Sequence, residues 1–255
     1  MTQSVYLADL TWTQAKDLLQ SSRKLVLILP LGAVEAHGPH GPLEADTVIS
    51  LGMCERAARA LADDPAVGAL LLPPITYGVT RYGAAFPGTI GIRQETLAEL
   101  ILDVCRAAIE NGFSRIAVVN NHFEPEQVET IRRVVADVGA APGVKTAYLD
   151  LTRRANAERL GGEFSSGSCH AGRYETSLVL AERPELIDTV VMSRLQPLFV
   201  DMPQAIVAGR TDFLAMGMSD AYCGSPSEAT AGEGEERFAT LAQMLVDLIR
   251  DLAEE

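Results

Sequence analysis

Positive charge is what this sequence has least of. Its 21 lysines and arginines stand against 34 aspartates and glutamates, a formal net charge of −13. Phosphate backbones and anionic membrane surfaces are bound by clustered basic side chains, so neither nucleic acid nor a membrane is an expected partner. Cysteine is also scarce. Cys54, Cys105, Cys169 and Cys223 lie far apart and form no C-x-x-C pair. A zinc knuckle and a disulfide framework are thereby excluded, and a reducing, cytoplasmic setting is expected. No run approaches the roughly 20 apolar residues of a membrane span. The opening "MTQSVYLADL" has no basic stretch leading into an apolar one, so no secretion signal is expected. The single tryptophan, Trp12, is remote in sequence from every candidate site residue described below.

What is present is an ordinary soluble composition, 47% hydrophobic and 22% charged, over 255 residues. That length suits one domain with a substantial core, taken as 1–255. Short apolar runs at 24–32, 68–74, 114–120 and 144–150 read as buried strands. Between and after them lie helical patterns at about 46–63, 93–112, 124–138, 171–184 and 232–255. Pro125 falls in a first turn, where proline is tolerated, and Asn111-Gly112 is a stop signal. Phe238, Leu241, Leu245, Leu248 and Leu252 repeat at helical spacing. Strands alternating with helices imply an α/β fold, a parallel sheet with helices on both faces. The stretch 185–231 is less periodic and reads as loops with a short strand or two.

In open α/β sheets ligands bind beyond the carboxyl ends of the strands. The first strand is followed by "GAVEAHGPHGPLEAD", which holds Glu35, His37, His40, Glu44 and Asp46. The third is followed by "NNHFEP", with His122 and Glu124, and the fourth by "SSGSCHAGRYETS", with His170 and Glu175. All four histidines of the chain fall in these segments. In extended backbone, residues two apart point the same way, so Glu35 with His37, and His122 with Glu124, can each face one point. Two carboxylate/histidine pairs and a further aspartate form a mixed nitrogen and oxygen donor set, suited to zinc, manganese or iron. Two half-sites sharing a carboxylate would hold two divalent ions. Simpler roles compete. Asp46 could be a helix N-cap, and Glu124 could serve a helix dipole.

The same segments resemble the creatininase (creatinine amidohydrolase) family. "LPLGAVEAHGPHGPLEADT" is similar to its first motif, and "FPGTI", "VVNNHFEPEQVE" and "HAGRYETSLVLAERPELID" to later ones in the same order. "SVYLADLTWTQA" is similar to the family's opening. The resemblance implies a three-layer α/β/α sandwich with a mostly parallel sheet and a binuclear metal site. It implies that Glu35, Asp46 and His122 hold one ion and His37, Asp46 and Glu124 the other. His170 would be catalytic, carrying a proton to the leaving nitrogen after metal-activated hydroxide attacks an amide carbon. The substrate expected is a small cyclic amide, a formamide or a peptide-like molecule. A homo-oligomer, often a hexamer in that family, is also implied. A non-catalytic metal- or ligand-binding member of the fold is the alternative.

Departures bear on substrate. An acidic residue in creatininase itself gives way here to Cys169, and the tryptophan that encloses creatinine falls near Ser166. The loop "YGVTRYGAA" is shorter. The metal machinery is therefore expected to be intact and the creatinine pocket not. Weaker pocket candidates are Arg81, Tyr82, Arg173, Glu175 and Cys169. Arg173 could clamp an anion or be a solvated arginine. Glu175 could orient a ligand histidine, be a further ligand, or be a helix N-terminal charge. Cys169 could line the pocket or act as a nucleophile.

Overall fold

The computed structural model describes residues 4–254, so the expected end of the last helix at Glu255 lies outside the described residues. Four strands, β1 (Lys24–Leu31), β2 (Val67–Leu71), β3 (Arg115–Asn120) and β4 (Lys145–Leu149), form one sheet in the order β2–β1–β3–β4. All neighbours are parallel, with Leu27 beside both Leu70 and Ile116, and Val118 beside Tyr148. A parallel strand is covered on both faces, and β1 shows how. Val26 and Ile28 enter one core, while Leu25, Leu27, Leu29 and Leu31 enter the other. The expected strand at 68–74 ends early, at Leu71, because Pro73 and Pro74 cannot donate to a ladder.

Helix α1 (Trp12–Leu19), which the sequence pattern did not reveal, is started by a capping box between Thr11 and Gln14. Helices α2 (Ala45–Ala60), α5 (Arg173–Glu182) and α6 (Ala231–Glu254) cover one face of the sheet through Ile49, Met53, Leu178, Phe238 and Leu245. Helices α3 (Gln94–Glu110) and α4 (Pro125–Gly139) cover the other through Leu97, Ile101, Ile131 and Val135. The result is a three-layer α/β/α sandwich, as expected.

The stretch 185–231 contains short helices, among them Met202–Val207, and one isolated antiparallel bridge between Leu198 and Gly224. The strand expected there is reduced to that bridge. Phe213, Met216, Met218, Ala221 and Cys223 build a third, smaller core, against which Tyr82, Met202 and Ile206 pack. From β1 the chain moves first to β2 on one side and later to β3 on the other. That reversal opens a crevice beyond the carboxyl ends of β1 and β3.

Candidate metal centre

Glu35 and His37 lie just past β1, and His122 and Glu124 just past β3, all four buried. Asp46 enters the same crevice from the first turn of α2, and Glu175 from the first turn of α5. Asp46 does not cap its helix. Glu44 is the N-cap residue and has no capping hydrogen bond, while Asp46 aims both oxygens at histidines.

The histidine tautomers follow from their backbone partners. His122 Nε2 lies 2.8 Å from the Val79 carbonyl, which can only accept, so Nε2 carries the proton. Its Nδ1 lone pair then faces Glu35 Oε2 at 3.2 Å and Asp46 Oδ2 at 3.1 Å. His37 repeats the arrangement with its nitrogens exchanged. Nδ1 donates to the Glu35 carbonyl at 3.0 Å. Nε2 faces Asp46 Oδ1 at 3.1 Å and Glu175 Oε2 at 3.7 Å. Two donor triads thus share Asp46: Glu35–Asp46–His122 and His37–Asp46–Glu175.

A lone pair aimed at two carboxylate oxygens is repulsive unless positive charge lies between them. Without a metal ion, protons must supply that charge. Burial lowers the pKa of His37, but Asp46 and Glu175 outweigh it and raise it to about 10. Burial likewise opposes protonation of His122, yet Glu35 and Asp46 hold it well above the ordinary range. Burial pushes Glu175 up to about 8. Burial also raises Glu35, but His122 overrides it and brings the carboxyl down to about 2. Asp46 Oδ2 is buried and receives no hydrogen bond. An orphaned oxygen, two inward lone pairs and an all-nitrogen-and-oxygen donor set fit divalent ions such as zinc or manganese.

Glu124, expected as a ligand beside His37, lines the same cavity. Its Oε2 accepts from the backbone N–H groups of Arg81 (2.7 Å) and Tyr82 (3.2 Å). It therefore anchors the 77–85 loop beside the first triad, and Glu175 takes the corner expected for it next to His37. Arg81 turns outward to Glu126 at 3.0 Å, and Tyr82 lines the cavity. Arg173 pairs with Glu233 and Glu228 at the surface, away from the site. His40 lies behind the centre, 2.9 Å from Thr176 Oγ1, and Glu44 is exposed.

His170 stacks between His37 and Phe213, with ring centroids 4.6 and 4.3 Å away. Its Nε2 donates to the Ala36 carbonyl at 3.0 Å, which leaves Nδ1 as the acceptor. Burial and the neighbouring His37 bring its pKa down to about 4. Ala171, next to it, holds a left-handed φ of 49°. Cys169 lines the cavity, and burial pushes its thiol well above the ordinary range.

Supporting residues escaped the sequence reading. Thr80 donates to Glu35 Oε1 at 2.7 Å, reserving Oε2 for the triad. Gln127 accepts from Val79 N–H at 2.7 Å and donates to Asn120 Oδ1 at 2.9 Å and Gly32 O at 3.2 Å. It ties both strand ends to the segment that orients His122. Its one readable signal was a position one helical turn after Glu124. The centre opens into a cavity of about 400 Å³.

The family model described as "Creatininase: Creatinine amidohydrolase" matches residues 8–249. The chain belongs to the creatininase family. It is 30% identical over 247 residues to the mycofactocin precursor peptide peptidase of Mycolicibacterium smegmatis, covering 93% of this chain and 89% of that protein. It is also 30% identical over 203 residues to creatinine amidohydrolase of Pseudomonas putida, covering 74% of this chain and 75% of that one. A crystal structure of creatinine amidohydrolase superposes with a TM-score of 0.75 at 25% identity, covering 97% of each chain. Other creatininase structures are described as a Zn–Zn type and as a manganese form. This family member is not creatininase itself, and its named relatives are hydrolases. No described helix is long and apolar enough to cross a membrane.

Proposed function

We propose that this protein is a metal-dependent amidohydrolase that cleaves a C–N amide bond in a small cyclic amide, formamide or peptide-like substrate. The observation that carries this reading is the pair of donor triads sharing Asp46, each with its histidine locked by a backbone carbonyl. Glu35, Asp46 and His122 would hold one divalent ion, and His37, Asp46 and Glu175 the other. Such ions polarise a carbonyl and make water nucleophilic near neutral pH.

The protein's own residues supply the rest. His170 Nδ1 accepts a proton from the attacking water, because Nε2–H is committed to Ala36. The same atom returns that proton to the departing nitrogen as the C–N bond breaks. Water oxygen ends on the acyl carbon, and the products are a carboxylic acid and an amine. Proton transfer of this kind contributes on the order of 10²–10⁴ in rate. Glu124 holds the 77–85 loop over the site. Burial pushes the Cys169 thiol up, and the reading gives it a place in the cavity lining and no nucleophilic role. The reading includes a cytoplasmic setting, in keeping with four free cysteines, and a homo-oligomer.

The test is metal content by elemental mass spectrometry on protein purified without chelator, with an amide panel assayed before and after chelation. About two ions per chain, and hydrolysis lost on chelation, are expected for a two-metal hydrolase. Absence of metal even after zinc or manganese is added, or hydrolysis that survives chelation, overturns the reading.

A further inference from the structure

The cavity has two unlike parts, one polar and one apolar, which meet where Phe213 stacks on His170 with centroids 4.3 Å apart. Glu35, Asp46, His122, Glu124 and Glu175 form one of them. The other is built from Phe123, Phe164, Met202, Ile206 and Phe213. Phe123 and Phe164 meet edge to face with centroids 5.2 Å apart, and Tyr174 backs Phe164 at 4.7 Å, so this aromatic wall is fixed by packing. Met202 and Ile206, four residues apart on the short helix Met202–Val207, share one helix face that closes the other side.

Among the described residues, no lysine or arginine lines this cavity. The basic side chains near its rim are committed elsewhere. Arg81 pairs with Glu126, and Arg173 with Glu233 and Glu228. Arg132 reaches the cavity-lining Thr152 at Oγ1, 3.0 Å away, but its guanidinium is held by Asp150 at 2.7 Å. A substrate carboxylate or phosphate at the apolar end would lose water without gaining a counter-charge. The chain's net charge of −13 would also repel it on approach. A cation fares no better there, because Glu35, Asp46 and Glu175 are committed to the metal ions in the reading above and Glu124 is already held by two N–H groups.

We propose that the substrate is an uncharged amide. Its scissile carbonyl lies at the polar end, and an aliphatic or aromatic substituent fills the wall of Phe123, Phe164, Met202, Ile206 and Phe213. This rests on the amidohydrolase reading above and narrows it. A cavity of about 400 Å³ falls low in the 300–1,000 Å³ range of small-molecule sites, so the substituent is of amino-acid side-chain size.

The experiment uses metal-loaded protein and amides that differ only in one remote substituent: isobutyl, benzyl, carboxyethyl or aminobutyl. Turnover is measured for each. Binding of N-methylated, slowly cleaved counterparts is measured by calorimetry. Isobutyl and benzyl should exceed carboxyethyl and aminobutyl at least about tenfold in kcat/KM and in affinity, since one methylene in an apolar pocket is worth roughly 10–200-fold. Preference for carboxyethyl or aminobutyl in either measurement overturns the inference and leaves amide hydrolysis standing. Apolar preference in binding with no turnover of any amide overturns the amidohydrolase reading and leaves the wall assignment standing. Ile206→Arg should retain its metals and shift preference toward carboxyethyl. An unchanged preference in that variant refutes Ile206 as part of the wall.

Discussion

The two ends of the cavity are built by different kinds of chain. Donors at the polar end hang from the carboxyl ends of β1 and β3 and from the first turns of α2 and α5. Backbone carbonyls, Thr80 and Gln127 fix their directions. Much of the apolar end comes from the stretch 199–213, which includes the short helix Met202–Val207, and from the short helix before Gly167. Its side chains are positioned by packing on a backbone tied by a few hydrogen bonds, such as Phe213 N–H to the Tyr82 carbonyl at 3.0 Å. Polar donors held by hydrogen bonds tolerate little displacement, whereas an apolar wall accepts new side chains of similar volume. In the reading proposed above, the reaction would rest on the polar donors and the choice of substrate on the apolar wall, the two meeting where Phe213 stacks on His170.

The largest effect should come from the shared carboxylate. Asp46→Ala removes a donor from both triads, so metal content should fall from about two ions to nearly none, with hydrolysis lost. Full metal content in that variant would separate the two triads and break the comparison. His170→Ala should keep its metals and slow turnover by on the order of 10²–10⁴. Near-normal turnover would remove His170 from proton transfer. Next in size is Thr80→Val, which deprives Glu35 of its hydrogen bond. Metal affinity should drop roughly 10–100-fold, read by competition with a chelating dye. An unchanged affinity would show that Glu35 needs no support.

A pH experiment sharpens the same contrast. In the metal-free protein His37 is raised from 6.5 to about 10 and Glu175 from 4.5 to about 8. Both favour the protonated form in the folded state. The stability they contribute is complete below their unfolded values and is lost as pH rises through about 8 and then about 10. Chelated protein should therefore melt lower at pH 9 than at pH 6, and added zinc should shrink that gap. Equal melting temperatures at both pH values without metal would mean that the triads are not protonated as described. The smallest effect is expected at Cys169→Ser, which should leave metal content and turnover within a few-fold of the native protein. An inactive variant with normal metal content would restore Cys169 as a nucleophile.

Most of the polar end was legible in the sequence, because a parallel strand buried on both faces is an unbroken apolar run and its chemistry begins where the run stops. Glu35, His37, His122 and Glu124 follow directly after such runs. The choice of Glu175 over Glu124 as neighbour of His37 was not legible. It depends on how the start of α5 meets the start of α2, which no local pattern records. The outward turn of Arg173, one of the two alternatives the sequence left open, follows from its spacing to Glu175. Two helical positions differ by about 200°, so Arg173 points away when Glu175 points in. The wall residues Met202, Ile206 and Phe213 lie in chain without periodicity, and nothing local marked them.

The distance along the chain between paired strands has a consequence for how the protein matures. Leu27 of β1 pairs with Ile116 of β3, and Glu175 reaches the centre only when α5 is seated. Helix α5 packs against α6, the last element, through the core that holds Leu178 and Leu241. Long-range pairings of this kind make folding slow, because loop closure precedes the contacts that reward it. The second donor triad therefore stays incomplete until both α5 and α6 have been made. Metal capture at the proposed triads would then follow the docking of α6 and report that it has found its place.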